Sequence, residues 1–140
     1  MGGFFGPFTS SSSGGGGGSG SSITGGKLAT VVLAAGETDN LNPGSGWPTG
    51  YGRLDLNAAA GAANLTGLKA ATDGQQILIR NLPDSGNNIT LNNQNAGSSA
   101  ANQFQGLDLV SPNADVILAP GSGILLMYYG GSLNYWVMVP

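Results

Sequence analysis

The sequence predicts an all-β fold: a small antiparallel sandwich or jelly-roll-like domain, preceded by an extended Gly/Ser-rich N-terminal arm. Three observations predict it. Short strand-like segments recur about every 8–12 residues, the spacing of a sandwich or barrel. Glycine and proline punctuate them, with 26 Gly and 7 Pro in 140 residues. No segment sustains the 3.6-residue apolar period of an amphipathic helix.

The arm comes first. Residues 1–8 read Met-Gly-Gly-Phe-Phe-Gly-Pro-Phe, and residues 9–22 contain only Thr, Ser and Gly. Such a tether buries too little apolar surface to offset the entropy of ordering it, so on its own it is expected to be flexible. Phe4, Phe5, Pro7 and Phe8 at its far end are the candidate anchor. Exposed aromatic rings invite association, and docking three of them is worth on the order of 5 kcal/mol before ordering costs. The division is therefore 1–26 for anchor peptide and tether, and 27–140 for the β domain.

The β domain is predicted element by element. Residues 28–35 (LATVVLAA) form a short valine-containing run that fits a strand buried on both faces. Residues 36–52 are an irregular segment in which Trp47 and Tyr51 pin the loop to the domain or to a neighbouring subunit. Residues 53–57 (RLDLN) alternate polar and apolar like a half-buried strand. The alanine-rich 58–63 carries a central glycine and reads as extended or irregular. Residues 75–82 (QQILIRNL) and 88–92 (NITLN), separated by Ser85-Gly86, read as a hairpin. A polar crossover follows at 93–102. Four further strands are expected at 104–110, 115–119, 123–129 and 133–139, between Pro/Gly/Asn turns.

Composition narrows the function classes. Only 8% of residues are charged, against about 25% in ordinary globular proteins. The large aliphatic content is lean, and burial between identical subunits is the simplest remedy. An uncharged polar surface suits such packing, because little charge must be desolvated. The net charge of −3, with Lys27, Arg53, Lys69 and Arg80 scattered, provides no footprint for nucleic acid. No apolar run approaches the ~20 residues of a membrane helix, so no membrane partner is expected. No Lys or Arg precedes Lys27, so the start lacks a signal-peptide pattern. There is no cysteine and no histidine, which removes thiolate chemistry, the usual general base and the commonest metal ligand.

The carboxylates are Glu37, Asp39, Asp55, Asp73, Asp84, Asp108 and Asp115. Any two could in principle make a glycosidase pair, as in a secreted carbohydrate-processing enzyme. Asp73, Asp84 and Asp115 instead sit at turns, where Asp commonly bonds backbone. No nucleophile is paired with a base at recognisable positions, so no catalytic residue is expected. Asp39 is the least poor cation ligand, but no loop has calcium-binding spacing, so neither metal nor cofactor is expected. Gly14–Gly18 lacks the following Gly-Lys-Ser/Thr of a phosphate loop. Trp47 and Tyr51 are the candidates for stacking on a glycan, with Trp47 expected to be the best exposed.

Residues 64–140 resemble a β module of bacteriophage fibre, spike and capsid-decoration proteins. The marks are Asn64-Leu65-Thr66-Gly67, Thr72-Asp73-Gly74-Gln75-Gln76-Ile77 running to Arg80-Asn81, and Asn88-Ile89-Thr90-Leu91. They continue with the Ser/Ala/Asn stretch at 98–102, Ile117-Leu118-Ala119-Pro120-Gly121, Tyr128-Tyr129 and the closing Tyr135-Trp136-Val137. Each motif is short, and the resemblance rests on the order of the set. It implies a non-enzymatic virion protein, usually a homotrimer, held to other virion proteins of the capsid or tail by its N-terminus. A head fibre, decoration protein or short tail appendage fits better than a long fibre, since no heptad shaft or collagen-like run is present. The alternative it implies is a receptor-binding fibre tip that recognises host surface glycan.

Overall fold

Along residues 51–57 the side chains alternate: Leu54 and Leu56 point into the core and are fully buried, while Arg53 is exposed on the other face and Asp55 beside it is covered by its ion pairs with Arg53 and Arg80. That period of two is the signature of a pleated strand with one face on a core. It recurs down the chain and builds two sheets packed face to face. The computed structural model describes residues 27–108, 110–111, 113–132 and 134–139.

The strands are β1 (Lys27–Val32), β2 (Gly36–Thr38), β3 (Tyr51–Asn57), β4 (Ala63–Leu65), β5 (Gln76–Asn81), β6 (Ile89–Leu91), β7 (Phe104–Gln105), β8 (Val116–Leu118), β9 (Gly123–Tyr129) and β10 (Tyr135–Met138). Among the described residues, a 3₁₀ turn, Ala100–Asn102, stands before β7. The larger sheet has the order β1-β3-β5-β9-β10-β7, and the smaller β2-β4-β6-β8. The expectation of an all-β fold of two packed sheets is thus met.

The pairing is mixed rather than purely antiparallel. β1, β3 and β5 lie parallel in the large sheet, and β2, β4 and β6 lie parallel in the small one. Successive strands alternate between the sheets, so the chain winds as a flattened coil of three turns. Leu28 pairs with Arg53 and Arg53 with Leu78, a constant step of 25 residues. A parallel bridge from Leu41 to Leu68 ties the first two turns along a third side. The coil then closes with antiparallel strands: β8 on β6, β9 on β5 and β10 on β9.

This winding corrects the expected hairpin between residues 75–82 and 88–92. Their strands, β5 and β6, belong to different sheets. The reason lies in the intervening corner. Asn81 is fully buried, its amide donating to the carbonyls of Asn87 (2.9 Å) and Leu118 (2.8 Å). Ser85 donates to Asn81 Oδ1 at 2.6 Å. Gly86, at φ +77°, turns the chain where other residues would be strained. These bonds hold a bend from one sheet to the other instead of a reversal within one.

The core between the sheets is one cluster. Leu54, Leu56, Ile77, Ile79, Ile124, Leu126 and Trp136 come from the large sheet, and Ala63, Leu65, Ile89, Leu91 and Leu118 from the small one. Burying each large aliphatic side chain contributes roughly 1.5–3 kcal/mol before entropy. β1 departs from expectation, for it is not buried on both faces: Leu28 and Val32 are 48% and 69% exposed. The strand lies at the margin of the large sheet, so only its inward side chains, such as Ala29, reach the core.

Candidate functional site

The predicted anchor, Phe4, Phe5, Pro7 and Phe8, and the tether behind it lie outside the described residues. The other candidates, Trp47 and Tyr51, come together, with ring centroids 5.3 Å apart. Their surroundings overturn the expectation that Trp47 stands exposed. It is 7% exposed, and its ring lies 6.1 Å from that of Trp136. Trp136 meets Tyr128 edge-on at 5.1 Å. The indole of Trp47 donates to the Lys69 carbonyl at 2.9 Å. Tyr51, half-buried, donates to the Ser45 carbonyl at 3.1 Å and packs against the core. The pair therefore pins the loop between β2 and β3 to the domain, as expected of it, and leaves little ring face for a sugar.

Tyr128 Oη donates to the Ala101 carbonyl at 3.0 Å, and burial raises its pKa above the usual 10.0. The aromatic cluster thus fastens three distant pieces: the loop between β2 and β3, the last two strands and the 3₁₀ turn.

A second assembly of side chains is polar. Asp39 Oδ1 accepts from Thr66 Oγ1 at 2.6 Å, and Thr66 Oγ1 lies 2.7 Å from Ser98 Oγ. Both hydroxyl residues are buried. Asn40, at φ +48°, takes a left-handed conformation that Asn tolerates. Its Oδ1 accepts from Ser99 N at 2.8 Å and Asn102 Nδ2 at 2.7 Å. Asp39, the least poor cation candidate, is thereby spent on holding the crossover to the coil. Among the described residues, no three of His, Cys, Asp and Glu gather as a metal site.

Four of the other six carboxylates are likewise engaged. Asp73 accepts from Gly130 N at 2.8 Å, and Asp108 from Val110 N at 2.8 Å. Asp115 accepts from Asn93 N at 2.7 Å and Asn92 Nδ2 at 3.0 Å. Asp55 sits 2.9 Å from Arg80 Nη2 and 3.4 Å from Arg53 Nε. The hydrogen bonds and charge of Asp55 raise the pKa of the Arg80 guanidinium.

Two surface features were not legible as sites. An open groove of about 450 Å³ runs between β8 and the β9–β10 ribbon, lined by Leu107, Val116, Ile117, Ile124 and Met138 with Asp108 beside them. The outer face of the large sheet presents Leu28, Leu78, Leu125 and Tyr129, each more than a third exposed. The signal for that face was the polar/apolar alternation of residues 53–57. No protein-family model and no curated protein matches the chain.

Proposed function

We propose that this chain is a non-enzymatic structural protein of a bacteriophage virion. Its N-terminal peptide anchors it to other virion proteins of the capsid or tail, and the β body projects as a head fibre, decoration or short tail appendage. In this reading the protein is a homotrimer located in the virion. The observation that carries it is the order of parts: three phenylalanines, a tether of Thr, Ser and Gly, then a rigid coil with few charges. The tether of 14 residues has an r.m.s. span near 20 Å, enough to absorb a symmetry mismatch between anchor and body. The carboxylates support the non-enzymatic side, because Asp39, Asp73, Asp108 and Asp115 each bind backbone or hydroxyl groups that fasten loops.

The glycan-binding alternative loses its chief residue with the burial of Trp47. The test compares the full chain with a variant carrying Phe4→Ser, Phe5→Ser and Phe8→Ser, added to particles of the encoding phage that lack the protein. Binding by the parent and at least a tenfold loss in the variant is the expected result. Equal binding by both would refute the anchor, and no binding by either would refute the virion assignment.

A further inference from the structure

Two adjacent rows across the large sheet differ in a way its fold alone does not require. Ala29, Leu54, Ile79 and Ile124 are cross-strand partners in succession, and all four are buried against the small sheet. One residue earlier on the first three strands, and one later on β9, the partners are Leu28, Arg53, Leu78 and Leu125. Partners in register share a face, so this second row points away from the core. Its three leucines are 48%, 37% and 38% exposed. Tyr129 at 47% extends the same apolar surface toward one end, while the row Thr30, Asp55, Arg80 separates Val32, at 69%, from the leucines. A solvated sheet face ordinarily alternates to polar residues.

The charges on this face are arranged to be cheap to cover. Asp55 is held between Arg80 and Arg53, and its side chain is only 5% exposed. No bare carboxylate would have to be desolvated. Tyrosine and arginine are enriched at interface centres, where acidic residues and lysine are depleted. The five strands β1, β3, β5, β9 and β10 average six residues, which at about 4.8 Å spacing and about 3.3 Å rise gives a flat area of roughly 475 Å². Side-chain relief raises the accessible area, which reaches the low end of what each partner buries in a specific complex, about 600 Å².

We propose that the outer face of the large sheet, centred on Leu28, Leu78 and Leu125, is the surface through which copies of this chain associate. The occupant is a second copy because the leucines stand beside charges largely neutralised within the face, Asp55 between Arg80 and Arg53, so two copies can meet there with little bare charge to desolvate. The proposal rests on the homo-oligomer part of the reading above and adds its location.

The test is the mass in solution of the full chain and of a Leu78→Glu, Leu125→Glu variant, by light scattering and sedimentation, with melting recorded for both. The parent is expected at a multiple of the 13.9 kDa chain mass. The variant is expected at a single chain mass with a cooperative melt. An Ile117→Glu control in the groove should keep the parent's mass. A second measurement does not depend on the glutamates being tolerated. The chain has no cysteine, so Leu125→Cys alone should be joined to another copy by a short bis-maleimide, and Ile117→Cys should not.

A variant with unchanged mass, or linking through position 117 alone, overturns the face while leaving a homo-oligomer standing. A monomeric parent overturns both. If the serine variant of Phe4, Phe5 and Phe8 dissociates while the glutamate variant does not, the N-terminal peptide carries association and the proposal fails.

Discussion

Trp47 and Trp136 grip adjacent carbonyls of one short segment. The Trp47 indole donates to Lys69 O and the Trp136 indole to Leu68 O, each at 2.9 Å. The segment is itself tied on both sides, with Leu68 N donating to Asn102 O and Lys69 N to Leu41 O. Replacing Trp136 by Phe keeps an aromatic ring in the core but orphans the buried Leu68 carbonyl and leaves space. A loss of about 2–3 kcal/mol is expected. Trp47→Phe should cost less, about 1–2 kcal/mol, because its carbonyl partner lies nearer solvent. Since the rings touch and their acceptors are neighbours, the double variant should depart from additivity by about 0.5–1.5 kcal/mol. Urea denaturation of the four proteins measures all three quantities.

Gly67 marks a close approach between the second turn and the crossover. A Cβ there would lie 2.5 Å from Ser98 Oγ and 2.6 Å from the Asn102 carbonyl. Gly67→Ala should therefore destabilise by about 2–3 kcal/mol through overpacking. Adding Ser98→Gly removes only the side-chain clash, and the Asn102 backbone remains. Ser98→Gly also deletes the hydroxyl that bonds Thr66 Oγ1 and Asn40 N, so the double variant should regain none of the lost stability, read as the shift in urea midpoint.

Strands with a private alternation were legible, and relationships between strands were not. The 123–129 strand was placed residue for residue, because Ile124, Leu126 and Tyr128 alternate with exposed positions and glycine bounds both ends. The 25-residue step from Leu28 through Arg53 to Leu78 left no readable repeat, since the stacked residues share a backbone position and not a chemistry. The corner at Ser85-Gly86 carried a turn signal equally fit for a hairpin. Only the buried amide of Asn81 decides for a sheet-to-sheet bend, and its burial is a tertiary fact. Trp47 failed as a surface platform for the same reason: a Pro/Gly loop looks exposed in sequence, yet Trp136, 89 positions later, covers its ring.

Asn81 offers a sharp chemical test of that corner. Its Nδ2 donates twice, to Asn87 O and Leu118 O, and its Oδ1 accepts from Ser85. Aspartate has the same shape but no donor when ionised, so it would set a buried charge against two carbonyls. Asn81→Asp should cost about 3–4 kcal/mol at pH 7 and Asn81→Ala about 2–3 kcal/mol. Protonation restores one donor, and burial raises the carboxyl's folded pKa above its unfolded value of about 4, so the gap between the two variants should narrow as pH falls from 7 toward about 4, in contrast to a steric effect. Thermal melts of both variants at pH 7 and pH 4.5 decide the point.

Tyr128 links the stability of this part of the core to alkaline pH. Burial raises its pKa above 10.0, so between the unfolded and folded values the unfolded chain has released a proton that the folded chain still holds. The unfolded state then binds fewer protons, and stability must fall as pH rises. The contribution is present in full below about pH 10 and is lost as pH climbs through the raised folded value. One proton limits the slope to about 1.4 kcal/mol per pH unit. Tyr128→Phe should lower stability at pH 7 by about 1 kcal/mol through the lost bond to Ala101 O, and flatten the decline above pH 10. Urea midpoints from pH 8 to pH 11 separate the two effects, because only titration of the phenol changes the slope. An equally steep decline in the Phe variant would show that alkaline unfolding begins elsewhere in the chain.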